Sequence, residues 1–182
     1  MTRVRRLLVA GASALALAAA GATFVGQSQA SARGGTLPAQ IRAATAPYHS
    51  LAAAQNAGWN SLFVDQNGLT CIEDTDTPSM GGMGYHWVNA ANIGSTDPTQ
   101  PAAMIYAPTA GGGVRFAGME YLVPDVPTGT VEQPFLNGQG FMYTPPGNRF
   151  LGDVGFWSLH VWAWDHSPSG TYEMWNPKIS CP

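Results

Sequence analysis

The stretch Val114-Arg115-Phe116-Ala117-Gly118-Met119-Glu120-Tyr121-Leu122-Val123 decides the fold. The apolar run Ala102 to Ala107 precedes it, and Pro108 with Gly111-Gly112-Gly113 separates the two. Two such runs around a glycine-rich turn read as an antiparallel hairpin. Alternate side chains of a strand face opposite sides of a sheet. The even set Val114, Phe116, Gly118, Glu120 and Leu122 is more apolar than an odd set containing Arg115 and Tyr121. The even face is therefore the expected interior, and it carries Glu120 inward. An ionised carboxylate among apolar side chains is costly unless it is paired, hydrogen-bonded or bound to a cation.

Working outward, Met83 to Asn89 and Phe156 to Trp164 read as further strands, and Phe141 to Tyr143 as a short one amid the turns of residues 124–155. On the amino-terminal side, Leu37 to Ala57 is built of helix formers, with Ile41, Tyr48, Leu51, Ala52 and Gln55 near one face. Pro47 interrupts that pattern, so Thr45 is expected to cap a second helix starting near Ala46, and Gly58 to end it. Glu73, Asp74, Asp76 and Pro78 predict a loop. The fold expected is a β-rich α+β domain, its amino-terminal helical segment packed on a small antiparallel sheet or a partly closed barrel.

The first 32 residues are a different object. Arg3, Arg5 and Arg6 precede an Ala, Leu, Gly and Val run from Leu7 to Val25, and Ser28-Gln29-Ala30 and Ala30-Ser31-Ala32 both offer a small-x-small cleavage site. That is the order of a signal peptide, with a retained membrane anchor as the other reading of the same run. Arg5-Arg6 also fits a twin-arginine export route. Cleavage leaves residues 33–182 as one secreted domain, without stable insertion in a membrane.

Residues 33–182 carry five basic side chains, Arg33, Arg42, Arg115, Arg149 and Lys178, against eleven acidic ones, a formal charge of −6 with histidine neutral. Scattered positive charge of this kind excludes a duplex-binding surface, which needs clustered Lys and Arg to displace counterions. Nucleic acid is not an expected partner. Cys71 and Cys181 are the two cysteines, and in an exported chain they are expected to form a disulfide that ties the carboxyl-terminal tail to the early part of the domain.

Scarcity of basic side chains bears directly on Glu120. His86 sits mid-strand between Tyr85 and Trp87, and His160 mid-strand between Leu159 and Val161. If their strands share a sheet with that of Glu120, two imidazoles and one carboxylate converge on one interior point. That donor set suits zinc, iron or copper, with positions left for water or substrate. The other reading is a polar core in which Glu120 accepts hydrogen bonds from the two histidines. His166, six residues beyond His160, lies roughly 20 Å further along a continued strand and is assigned to the surface or to support of the ligands. His49, on the helix, is read as a packing or hydrogen-bonding residue, with that same supporting role as the other reading.

Trp87, Trp162 and Trp164 are candidate walls of a pocket for a small apolar or aromatic molecule, with core packing as their other use. Paired-carboxylate chemistry through Glu120, Asp125 or Glu132 has nothing to fix the second carboxylate. Nucleophile elbows, phosphate-binding loops, dinucleotide fingerprints and His-Glu-x-x-His helices are absent from the sequence.

The segments Gly81-Gly82-Met83-Gly84-Tyr85-His86-Trp87-Val88-Asn89, Glu120-Tyr121-Leu122-Val123-Pro124 and Leu159-His160-Val161-Trp162-Ala163-Trp164, with Cys71-Ile72-Glu73-Asp74 and the tail through Trp175-Asn176-Pro177 to Cys181, resemble a group of uncharacterised exported bacterial proteins. The resemblance implies export and a single domain, and it supplies no activity. Its pattern includes His86, Glu120, His160 and His166; Ser167 stands where the pattern has Asn. Three functions follow as expectations: a metal site whose ion activates water or oxygen or polarises a carbonyl, a non-catalytic module for a small apolar ligand, or a structural secreted domain.

Overall fold

Pro38 supplies the fixed φ of a helix start, and the computed structural model, which describes residues 35–182, has α1 at Leu37–Thr45. The expected export segment lies outside the described residues. Pro47 cannot donate within a helix, so Ala46–His49 tightens into a 3-10 turn before α2 begins at Leu51–Asn56. The cap of α2 is Ser50, whose hydroxyl accepts from the Ala53 N–H. The expected cap, Thr45, instead donates to the Ile41 carbonyl at 2.8 Å and accepts from the Trp164 indole at 3.0 Å. Leu37, Ile41 and Ala54 form the buried stripe; Ala52 is exposed.

The strands are β1 Ser61–Leu62, β2 Cys71–Glu73, β3 Gly82–Val88, β4 Ala103–Pro108, β5 Val114–Pro124, β6 Phe135–Leu136, β7 Gln139–Gly140, β8 Met142–Thr144 and β9 Phe156–Val161. Seven make one antiparallel sheet in the order β1-β3-β4-β5-β9-β8, with β2 also on β3; β6 and β7 form a separate hairpin. The sheet stays open rather than closing into a barrel. The acidic stretch expected to be wholly loop contributes β2 at its start and a 3-10 turn at Pro78–Met80. β9 ends at Val161 and does not run on to Trp164. The backbone N–H groups of Trp164 and Asp165 leave the strand line and both donate to the Ala117 carbonyl.

That carbonyl marks a β-bulge. Ile105 pairs with Gly118 and Tyr106 with Phe116, so Ala117 is an extra residue in β5 and side-chain parity reverses across it. Phe116 consequently shares the helix-covered face with Met119 and Tyr121, while Ala117, Glu120 and Leu122 face the other way. The expectation that the even face is the interior is corrected on this point, since the odd residues Met119 and Tyr121 are completely buried as well. Both faces of β5 are covered.

On one face, Leu37, Ile41, Ala54 and Trp59 pack on Met104, Tyr106, Tyr121 and Leu159. The polar tips find acceptors there: the Tyr121 hydroxyl donates to Pro98 O and the Trp59 indole to Pro101 O. On the other face, Ile72, Met83, Ile105, Trp162 and Ile179 form a second core. The tail reaches it through Asn176, paired both ways with Gly82, and through the Cys71–Cys181 disulfide. Gly84 takes φ 82°, and a Cβ there would lie 2.6 Å from the Tyr106 carbonyl oxygen, so only glycine allows β3 to approach β4 this closely.

Candidate metal centre

Glu120 and His160 are directly opposite each other on β5 and β9, and Ala103 is opposite Glu120 on β4. His86 on β3 is opposite Ile105, one side-chain step from that row. Adjacent strands are about 4.8 Å apart, so β3 and β5 are separated by about twice that, and only long side chains meet across β4. The small Ala103 leaves the space through which they do. His86 Nε2 comes to 3.8 Å from Glu120 Oε2, and the two imidazoles stand nearly perpendicular with centroids 5.8 Å apart.

One donor atom from each of His86, Glu120 and His160 falls within 4.8 Å of the other two. Three points so spaced all lie within about 2.8 Å of a common centre, against about 2.0–2.2 Å for zinc bonded to nitrogen or oxygen. Small side-chain rotations close that difference. His86 Nδ1 and His160 Nε2 are buried and have no hydrogen-bond partner among the described residues. Buried imidazole nitrogens without partners are uncommon, and their chemistry suits a cation or a ligand proton. The 3.8 Å gap between His86 and Glu120 is also too long for a hydrogen bond, so the triad does not satisfy itself.

The electrostatics follow from burial. Desolvation lowers His86 to about 4, opposed by the Gly84 backbone, and lowers His160 to about 3 with help from its neighbour His86. Desolvation raises the Glu120 carboxyl to about 8. Two basic side chains that might have neutralised Glu120 are engaged elsewhere, and Arg42 and Lys178 are exposed. Arg149 is paired with Asp65, Nη2 to Oδ2 at 3.0 Å, and donates to the Glu73 carbonyl. Arg115 is paired with Asp165.

The three donors stand in the wall of a cavity of about 170 Å³. Its aromatic side chains are Phe63, Phe150 and Phe156, with Ile72, Met83 and Leu122 among the aliphatic ones, and Ser158 is the further polar residue on the wall. Phe63 meets the His86 ring edge-on at 6.3 Å. Ile93, 43% exposed, marks the mouth. None of the tryptophans singled out from the sequence lines this cavity. Trp87 and Trp164 pack into the helix-covered core, and Trp162 lies in the second core with its ring stacked beside His160 at 6.1 Å. Trp87 follows His86 in β3 and so faces the opposite side of the sheet, whereas Trp162 and Trp164 lie beyond the end of β9 at Val161, where alternation no longer aims the residues.

The structure places His49 on the helix side of the sheet, exposed and edge-on to Trp164 at 4.2 Å. His166 is exposed beyond the bend and is outside the group of three donors. Asp125 turns into its own loop, where its carboxylate accepts from the backbone N–H groups of Gly129, Thr130 and Val131 and from the Tyr143 hydroxyl. Those bonds hold it below the usual carboxylate range and leave no role for it beside Glu120.

Two contributions escaped sequence reasoning. Phe63 and Phe150 come from segments with no periodic pattern, and the Asp65–Arg149 pair, which pins the segment bearing Phe150 and Leu151, joins residues far apart in the chain. Comparison with protein-family models, with curated proteins and with solved structures returns no match for this chain.

Proposed function

We propose that this is an exported protein that holds one divalent transition metal ion, zinc, iron or copper, on His86, Glu120 and His160 beside a cavity for a small apolar or aromatic molecule. The observation that carries the reading is the convergence of two imidazoles, each with one buried nitrogen lacking a partner, and one carboxylate, from three separate strands, on the wall of an otherwise apolar cavity. A cation resolves what the protein alone leaves open: it compensates Glu120 and takes a lone pair from each ring.

Three protein donors leave positions for an exogenous ligand, which is the arrangement of catalytic rather than structural metal sites. In such a site the ion activates water or oxygen or polarises a carbonyl. The protein's own part is to hold the donors on rigid strands, to exclude water with Phe63, Ile72 and Leu122, and to offer the apolar wall to the ligand. The disulfide fits an extracellular protein. Among the described residues no helix is long and apolar enough to cross a membrane. Both agree with export through the amino-terminal segment.

A second reading is a non-catalytic module for a small apolar ligand. It is favoured by the shifts of the three groups, which leave both imidazoles uncharged and most of the Glu120 population protonated at pH 7 in the absence of a metal. The deciding experiment is metal content by mass spectrometry on protein exported by a bacterial host and purified without a histidine tag. The metal reading expects close to one ion per chain, lost in both His86→Ala and His160→Ala. Wild-type protein that is metal-free and resists reconstitution contradicts it and puts the ligand-binding module first.

A further inference from the structure

Resting on the metal reading above, we propose that the loaded cavity selects a small apolar monoanion, specifically a monocarboxylate whose tail is about the size of one ring, over neutral or cationic molecules of the same shape.

Charge comes first. Among the described residues, the titratable side chains on the cavity wall are His86, Glu120 and His160, and no Lys or Arg lines it. Arg149 and Arg115 are committed to Asp65 and Asp165. The protein wall among the described residues therefore offers an anion no positive side chain, and charge compensation has to come from the ion. Coordinating imidazoles are neutral and a coordinating carboxylate is ionised. A divalent ion on this triad thus leaves one net positive charge inside a cavity of low polarity. A monoanion brings that charge to zero, a neutral ligand leaves it uncompensated, and a cation doubles it. Uncompensated buried charge is the costliest arrangement.

Size and lining set the tail. An apolar cavity of about 150 Å³ admits a benzene-sized molecule, and this one measures about 170 Å³. Phe63, Ile72, Met83, Leu122 and Phe156 supply aromatic and aliphatic surface, and Ser158 is the one further polar side chain, so a ligand with several polar groups on its tail would leave most of them without a partner. Ile93 at the mouth gives access from solvent.

The test uses the full exported chain, stripped with a chelator and reloaded with one equivalent of zinc. Benzoate, benzyl alcohol, benzylamine and acetate are titrated calorimetrically into both forms. The zinc form is expected to bind benzoate at least tenfold more tightly than benzyl alcohol or benzylamine. Acetate, with the same head and no tail, should bind at least tenfold more weakly than benzoate. In the metal-free form the order reverses and benzyl alcohol binds better than benzoate. Failure to take up zinc overturns the metal reading and this inference with it. Normal zinc uptake with benzoate no tighter than benzyl alcohol, or no tighter than acetate, overturns this inference alone.

Discussion

Replacing Glu120 with Gln should change how the metal-free protein responds to pH, with a sign and size fixed by the two buried histidines and the half-buried carboxyl between them. The unfolded chain ionises Glu120 near its ordinary value of 4.5, whereas the folded chain keeps the proton up to about 8. Between those values the folded state binds one more proton than the unfolded state, so stability falls as pH rises, by about 1.4 kcal/mol per unit. The histidines act in the opposite sense. Unfolded imidazoles take protons below 6.5, but folded His86 and His160 do so only near 4 and 3. Two histidines against one carboxyl make stability fall by a net of about 1.4 kcal/mol per unit as pH drops from 6.5 to 4.5. Metal-free wild type should therefore be most stable near pH 6.5 and lose about 2 kcal/mol by pH 8. Asp97 and Asp125, both held low, titrate below this window. In Glu120→Gln the loss from pH 6.5 to 8 should vanish, and the acid limb should steepen to about 2.8 kcal/mol per unit. Urea unfolding at half-unit pH intervals, with chelator present and the disulfide intact, reads both limbs. Parallel wild-type and variant curves between pH 6.5 and 8 would refute the claim that Glu120 is desolvated without a cationic partner.

Three further perturbations test the frame around the site. Removing the disulfide by Cys71→Ser with Cys181→Ser opens a loop of 110 residues and should cost about 4 to 5 kcal/mol on the chain-entropy argument, measured by denaturant midpoint; a loss under about 1 kcal/mol would mean that the tail docks without it. Arg149→Ala strands the buried Asp65 carboxylate and should cost about 3 kcal/mol, and because the two act as one unit, Asp65→Ala with Arg149→Ala should cost less than the two single changes together. Thr45→Val removes the acceptor of the Trp164 indole and should cost about 1 to 2 kcal/mol, whereas Ser50, an exposed cap, should cost about 1 kcal/mol or less when changed to Ala.

What the sequence made legible follows from how far alternation can be trusted. His86, Glu120 and His160 are placed together because each lies in a regular part of its strand, where parity and antiparallel pairing suffice; Glu120 opposite His160 is the register that parity alone could not supply. The bulge at Ala117 carries no marker in composition, yet it reverses parity over the first part of β5 and moves Phe116 to the far side from Glu120. The same carbonyl explains why Trp164 does not line the cavity, since it draws the chain out of the strand line there, while Trp162 is held by Thr171 and Glu173 in the second core. Helix propensity located α1 and α2, but not whether Thr45 or Ser50 caps the second, because that depends on where the turn imposed by Pro47 ends. β1 and the β6–β7 hairpin are two-residue strands fixed by their partners, with no pattern long enough to announce them. The cavity itself is a tertiary product of segments that the open side of the sheet gathers from residues 63, 72, 150 and 174.

The most direct test of the central claim is anomalous diffraction at the zinc absorption edge from crystals of the protein reloaded with one equivalent of zinc. The account expects one strong peak within about 2.0–2.2 Å of a nitrogen of His86, a nitrogen of His160 and an oxygen of Glu120, with any further ligand lying towards the cavity. A peak at an exposed histidine such as His49 or His166 with none between the three strands, or no peak at all, would contradict it.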